Sequence, residues 1–231
     1  VPLLEERNEA QLDCSIPIIR GLDVSAAYAV TSHLGFMLNA SWKNDVQKEH
    51  ISFGEPLLPL KINYHRSSAD LGIGYFSEIP SLRVHFECYG GIGKGNFSIR
   101  DTGKTYSPVA PYLRNYQCKL DRFFIQPAIS SNVNRSVQCA FFVLILFQRY
   151  HGMNTDYSPP EMEYYAIPGD PNKYYTFIEP GVTIRVYPAA VKPIGFEFNF
   201  AGCGQSNIQL SYIPISMSVG IHVKSVGMGP K

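Results

Sequence analysis

The sequence predicts an all-β protein: a closed antiparallel up-and-down barrel of about ten strands, or eight as the smaller alternative, that crosses a membrane. Three observations predict it. First, residues 21–43 alternate strictly. Leu22, Val24, Ala26, Tyr28 and Val30 share one face, with Asp23, Ser25, Ala27 and Ala29 on the other, and Leu34, Phe36, Leu38, Ala40 and Trp42 repeat the pattern after Thr31-Ser32-His33. A period of two marks a strand with two unlike faces, and a short polar turn makes its neighbour antiparallel. Second, the longest apolar run, residues 139–147, is far short of a membrane helix, which needs about 20 residues, whereas a membrane strand needs only about 9–11. Third, the apolar face is bulky throughout, while the other face is rich in Gly, Ala, Ser and Asn with few charges. A narrow polar interior and a lipid-facing exterior require that division.

The elements follow in order. Residues 1–8 form a polar lead-in, and residues 9–19 the first strand, with Leu12, Cys14, Ile16 and Ile18 opposite Gln11, Asp13 and Ser15. The hairpin 21–43 comes next, then a long polar connection, 43–68. Strands 69–76 and 82–93 flank a short turn at 77–81. A second long connection, 96–117, leads to strands 120–130 and 136–150, joined by the turn 131–135. A third, 151–173, is rich in Pro and Tyr. Strands 174–186 and 194–201 flank the turn 187–193, and a short outer connection, 202–207, precedes the last strand, 208–224. Pro214 predicts a bulge or bend within that strand. No segment shows helical periodicity, and no linker divides the chain. Residues 1–231 therefore read as one domain, with residues 225–231 as a tail.

Composition narrows the class. Charged residues make up 17% of the chain, against about 25% in ordinary soluble domains. A net charge of +1 gives no basis for nucleic-acid binding. Of the five cysteines, Cys14, Cys88 and Cys139 fall on apolar faces and read as small hydrophobes. Cys118 and Cys203 lie near loops, where a pairing is left open. No metal or other cofactor is expected.

Alternation alone does not say which face is the core, and a soluble secreted barrel binding a small ligand is the lesser alternative. The polar face decides for the membrane. Its charges, Asp13, Asp23, Asp70, Arg83, Glu87, Arg122, Glu179, Arg185 and Glu197, are sparse and mixed in sign, and His85 joins them. A crowded interior requires such charges to be partnered. Tyr28, Trp42, Tyr75 and Phe200 fall near strand ends, where aromatic girdles sit.

Residues 90–95, GGIGKG, miss the phosphate-loop spacing and read as strand glycines. His50, His65, Asp101, His151 and Asp156 fall in loops at one end without any catalytic spacing, so no enzyme is expected. Tyr157, Tyr164, Tyr165 and Tyr174 fall in or beside the third loop, as a contact surface or a self-packed cap.

Four stretches, residues 1–12, 21–42 within the hairpin, 82–98 and 122–130, resemble small OmpA/OmpW-like outer-membrane β-barrel proteins of the Bacteroidota type. The resemblance implies a closed barrel, export and a bacterial outer-membrane address. It also implies that a lipid anchor can precede a segment such as residues 1–6. The chain departs from the usual pattern by running past Val223 instead of ending on an aromatic residue. The expected role is a non-enzymatic scaffold or accessory subunit of a larger envelope complex. It would dock on other outer-membrane or periplasmic proteins through its loops or its wall, with membrane lipid around it. A narrow channel or carrier for a small hydrophobic solute is the alternative, since Phe142, Leu144 and Leu146 all fall on the inward face of one strand.

Overall fold

A computed structural model describes residues 2–17, 21–51, 58–82, 84–103, 112–134, 136–164, 167–188, 194–202, 204–205 and 215–225. The strands are β1 (Ala10–Pro17), β2 (Gly21–Ala29), β3 (Leu34–Ile51), β4 (Leu58–Ile79), β5 (Val84–Gly103), β6 (Tyr112–Asn134), β7 (Val137–Thr155), β8 (Tyr174–Val186), β9 (Ile194–Gly202), the two-residue β10 (Gly204–Gln205) and β11 (Ile215–Ser225). Sequential neighbours pair antiparallel from β1 to β9. β9 then pairs with β11, and β11 with β1, so Cys14 lies opposite Ile221 and the barrel is closed. β10 adds only a short pairing to β8. Closure gives every strand of the ring a partner on both sides, the condition for crossing hydrocarbon with strands.

The apolar face points outward. Leu22, Phe36, Leu38, Leu71, Ile92, Phe123, Ile125, Phe196 and Ile221 are each 40–60% exposed, while Asp13, Glu87, Arg122, Arg185 and Glu197 are buried inside. A soluble barrel has the opposite arrangement, so the ligand-binding secreted alternative is excluded. Tyr28, Trp42, Tyr75 and Phe200 are exposed on the same wall. Inside, glycines give large rings room. A Cβ on Gly91 would stand 2.6 Å from the Phe124 ring, and one on Gly74 2.4 Å from Tyr89.

The wall has a tall side. β3 to β7 run for 18 to 23 residues, whereas β1, β2 and β9 have eight or nine. The long polar connections expected at 43–68, 96–117 and 151–173 are therefore largely strand. β3 and β4 stay in register from Leu34 opposite Tyr75 to Ile51 opposite Leu58. The reason is physical. Beyond the lipid the outward face turns polar, as at Asn44, His65 and Ser98, while the inward face mixes aromatic and charged residues, as at Tyr64, Arg66 and Phe97, and alternation then has no clear contrast to show. The turn expected at 77–81 is shorter for the same reason, with Ser77 to Ile79 still paired in β4.

A six-residue helix, α1 (Pro159–Tyr164), sits in the third connection, where no helix is expected from the sequence. Under two turns, it is too short to show a helical period. The bend expected at Pro214 lies outside the described residues, as do Arg83, Tyr165 and Cys203; Cys118 is a buried thiol.

Candidate functional site

The lumen is the candidate site, and it is packed from both ends. Both described ends of the chain lie at the short-turn end, since Ala10 pairs with Ser225 and with Tyr28. From there residues 2–9 fold into the barrel. Asn8 donates its N–H to the Ala29 carbonyl at 2.8 Å, and Leu3 donates its own to a Glu87 carboxylate oxygen at 3.0 Å. Leu3 and Leu4 are buried. Leu3 holds a φ of 59°, a left-handed conformation costly for a branched residue, so burial and the Glu87 bond must offset it.

Two acids fix this segment. Glu9 accepts the N–H groups of Glu5 and Glu6 at 2.9 and 3.1 Å, accepts from the Gln11 amide, and meets Lys224 at 3.1 Å. Glu5 reaches across the lumen to Lys224 at 2.7 Å, to Asn132 and Gln138 at 3.3 Å, and to His85 at 3.9 Å. Burial alone would raise the Glu5 carboxyl, but Lys224, Asn132 and His85 together hold it below the ordinary carboxylate range.

Arg185 is the centre of the charged half. It is fully buried, and its Nε donates to Glu197 at 2.7 Å. One Nη donates to Asp13 at 3.2 Å, and the other to Gln11 at 3.1 Å and the Pro2 carbonyl at 2.9 Å. His222 bonds the second Asp13 oxygen. Asn199 donates to Glu197 at 2.6 Å and accepts from Thr183 at 2.6 Å. Asp13, Glu197 and His222 offer ligand atoms within 4.8 Å of one another, a donor set that could suit a metal. Arg185 already supplies the countercharge there, with each of its three nitrogens donating a hydrogen bond.

The other charges named from the sequence are spread through the lumen. Arg122 meets Asp70 at 2.9 Å. Asp23 accepts from Ser41 at 2.6 Å and lies 3.7 Å from Lys43. Glu179 is half-buried on β8 and stands apart from the Arg185 cluster. Sequence reasoning missed the ordered lead-in and the roles of Glu5, Glu9 and Gln11. The one local signal was the apolar Leu3-Leu4 pair inside an otherwise charged segment.

Toward the loops the filling turns aromatic. Phe97 packs against Tyr64, Tyr116 and Tyr150, with ring centroids 6.1–6.5 Å apart, and Tyr150 meets Tyr175 edge-on at 5.4 Å. The third connection closes over them. Ile167 and Tyr157 are buried, and the Tyr116 hydroxyl donates to the Pro168 carbonyl at 2.8 Å. Burial and the Asp101 carboxylate, which accepts from Tyr157 at 3.4 Å, raise the Tyr157 phenol above its ordinary range. The expected tyrosine surface is thus divided. Tyr157 belongs to the cap. Tyr174 lies on the outer wall under Arg149, and Tyr164 has only its backbone described.

The acid–histidine rim does not assemble around His151 and Asp156. His151 meets Asp121 at 3.4 Å on the outer wall, and Asp156 accepts from the Asn115 backbone and side chain at 3.0 and 3.1 Å. His65 bonds Asn44 at 2.6 Å, and the side chain of His50 is outside the described residues.

An apolar wall, a partnered polar interior and a closed antiparallel ring define a membrane-spanning β-barrel, and this chain is one. No protein-family model and no curated protein matches the chain. Among solved structures, it is similar to a major outer membrane protein from Thermus thermophilus, at 10% identity and a TM-score of 0.44, over 94% of this chain and 98% of that one. It is also similar to OmpT, an outer membrane protein of Vibrio cholerae, at 6% identity and a TM-score of 0.29, over 94% and 96%. The class rests on the wall and the lumen, not on these distant overlaps.

Proposed function

We propose that this barrel is a non-enzymatic scaffold or accessory subunit of a larger envelope complex, of the small Bacteroidota type that its sequence stretches resemble. The observation that carries this reading is the filled lumen. Residues 2–9 and the Arg185 network occupy the turn-side half, and the capped aromatic cluster occupies the other. What the barrel then offers is its surface. On the tall side β3 to β7 continue past the lipid as a curved, largely polar sheet, suited to a protein partner.

Extraction from native membranes in mild detergent, followed by mass spectrometry of the intact complex, tests this. A stoichiometric protein partner is the expected result; a lone barrel would overturn the reading. Planar-bilayer recording of the isolated barrel should give no steady conductance.

The alternative, a carrier for an apolar solute, draws support from the inward Phe142, Leu144 and Leu146. Phe142 packs over Gly181, where a Cβ would lie 2.3 Å from its ring, and Leu146 is buried in the aromatic core. A carrier would have to move these groups and the N-terminal segment together. Uptake of an apolar solute by the isolated barrel would favour it.

A further inference from the structure

The outer wall of the tall side carries a groove of about 700 Å3 that the lumen does not use. Its depth comes from residue size and register. Across one row Ala40 pairs with Ala69, which pairs with Lys94; across the next Trp42 pairs with Ser67, Ser67 with Asn96, and Asn96 with Lys119. All of these face outward. The small side chains form a floor, with Trp42 on one flank and the two lysines on the other.

The groove straddles the line where the wall changes character. One row nearer the turns the outward positions are Leu38, Leu71, Ile92 and Phe123, all exposed and apolar. One row nearer the loops they are Asn44, His65, Ser98 and Gln117. Hydrocarbon therefore lies on one side and headgroups on the other, with Trp42 at the boundary that amphipathic rings prefer. The local charge is positive. Asp121 lines the groove opposite Lys94, and Arg149 at 2.6 Å and His151 at 3.4 Å share one oxygen of its carboxylate, so the cations outnumber it. No carboxylate of the described residues comes within 4.0 Å of Lys94 or Lys119.

We propose that this groove binds an anionic phospholipid of the loop-side leaflet, with its phosphate between Lys94 and Lys119 and an acyl chain running down over Leu71 and Ile92. The small floor gives the headgroup depth, the lysines give it charge, and the apolar row gives the chain a path. The inference depends on the lipid-facing wall and not on whether the barrel has a protein partner.

Native mass spectrometry of the detergent-purified barrel, titrated with phosphatidylglycerol or phosphatidylcholine, tests it. One phosphatidylglycerol should be retained in preference to phosphatidylcholine, and inorganic phosphate should not displace it. K94Q/K119Q should weaken retention roughly 30-fold, the scale of two surface cations near an anionic headgroup, and K94R/K119R should restore it. A69L, which fills the floor without changing charge, should also lower retention. Each variant changes an exposed residue, and a heat-dependent gel shift confirms that it is folded. Equal retention of the two lipids, displacement by phosphate, or wild-type retention in folded K94Q/K119Q or A69L would overturn the proposal.

Discussion

In the turn-side half of the lumen, Arg185, Asp13, Glu197 and His222 pack around the N-terminal segment; in the loop-side half, Phe97, Tyr116, Tyr150 and Tyr175 stack on one another. Both halves are filled by the chain itself, but the two fillings tolerate error differently. Charges in a low-dielectric interior must be matched almost one for one, because a buried ion that loses its partner retains its full desolvation cost. Aromatic burial is graded, and its loss scales with the area and cavity left behind. The partners in the charged half also come from widely separated segments. Arg185 on β8 meets Pro2, Gln11 and Asp13 more than 170 residues away. That half consequently ties the N-terminal segment to the closing seam of the barrel.

The sharpest way to break the comparison is Arg185→Met. It strands Asp13 and Glu197 in the lumen and frees the Pro2 carbonyl, and it should cost about 3–5 kcal/mol. Urea unfolding of the refolded barrel, followed by the gel shift, measures it. The triple variant D13N/R185M/E197Q, which removes both signs together, should recover much of that loss. If the triple variant is as unstable as the single one, packing and not charge matching holds this half.

In the aromatic half the expected losses grade with what is removed. Tyr150→Ala should cost about 3 kcal/mol, since it empties a buried ring site. Tyr116→Phe keeps its ring and loses the hydroxyl's bond to the Pro168 carbonyl and its contact with the Cys118 thiol, for about 1 kcal/mol. The same unfolding assay reads both. A loss in Tyr116→Phe as large as that in Tyr150→Ala would mean that the cap is held by its hydrogen bond and not by burial.

The two halves are not equally legible in the sequence. Asp13, Arg185 and Glu197 can be placed on one face because each sits in a strand whose other face is apolar, and alternation assigns the side without any structure. The outward side of the hairpin residues Leu22, Phe36 and Leu38 follows from the same contrast. Where contrast ends, so does legibility. Phe97, Tyr116 and the outer part of β5 and β6 lie where both faces are mixed, and they read as loop. Tyr150 reads as the end of its strand but not as part of a cluster. The lead-in is hidden for another reason. Its order depends on Glu9, Lys224 and Glu87, contacts that join distant positions and leave no periodic mark. The placement of Leu3 and Leu4 inside the barrel follows only once the ring is closed.

The smallest expected effect concerns how residues 2–9 are held. Glu5 is the acid that links this segment to Lys224, Asn132, Gln138 and His85, and its carboxyl lies below the ordinary value of 4.5 in the folded protein. A group whose folded pKa is depressed contributes stability that is complete above its unfolded pKa and is lost as pH falls through the folded one. The tether should therefore be at full strength from neutral pH down to about pH 5 and should weaken only below 4.5. Hydrogen exchange at Asn8, whose N–H is bonded to the Ala29 carbonyl and not to a carboxylate, reads this once corrected for the intrinsic effect of pH. Protection should stay constant from about pH 7 to 5 and fall below it, while the amide of Tyr116 in the aromatic half should show no matching change. Glu5→Gln should lower the protection of Asn8 already at neutral pH and flatten its dependence on acid. Equal loss of protection in both halves at low pH would mean that acid opens the whole barrel, and that the N-terminal segment has no separate hold.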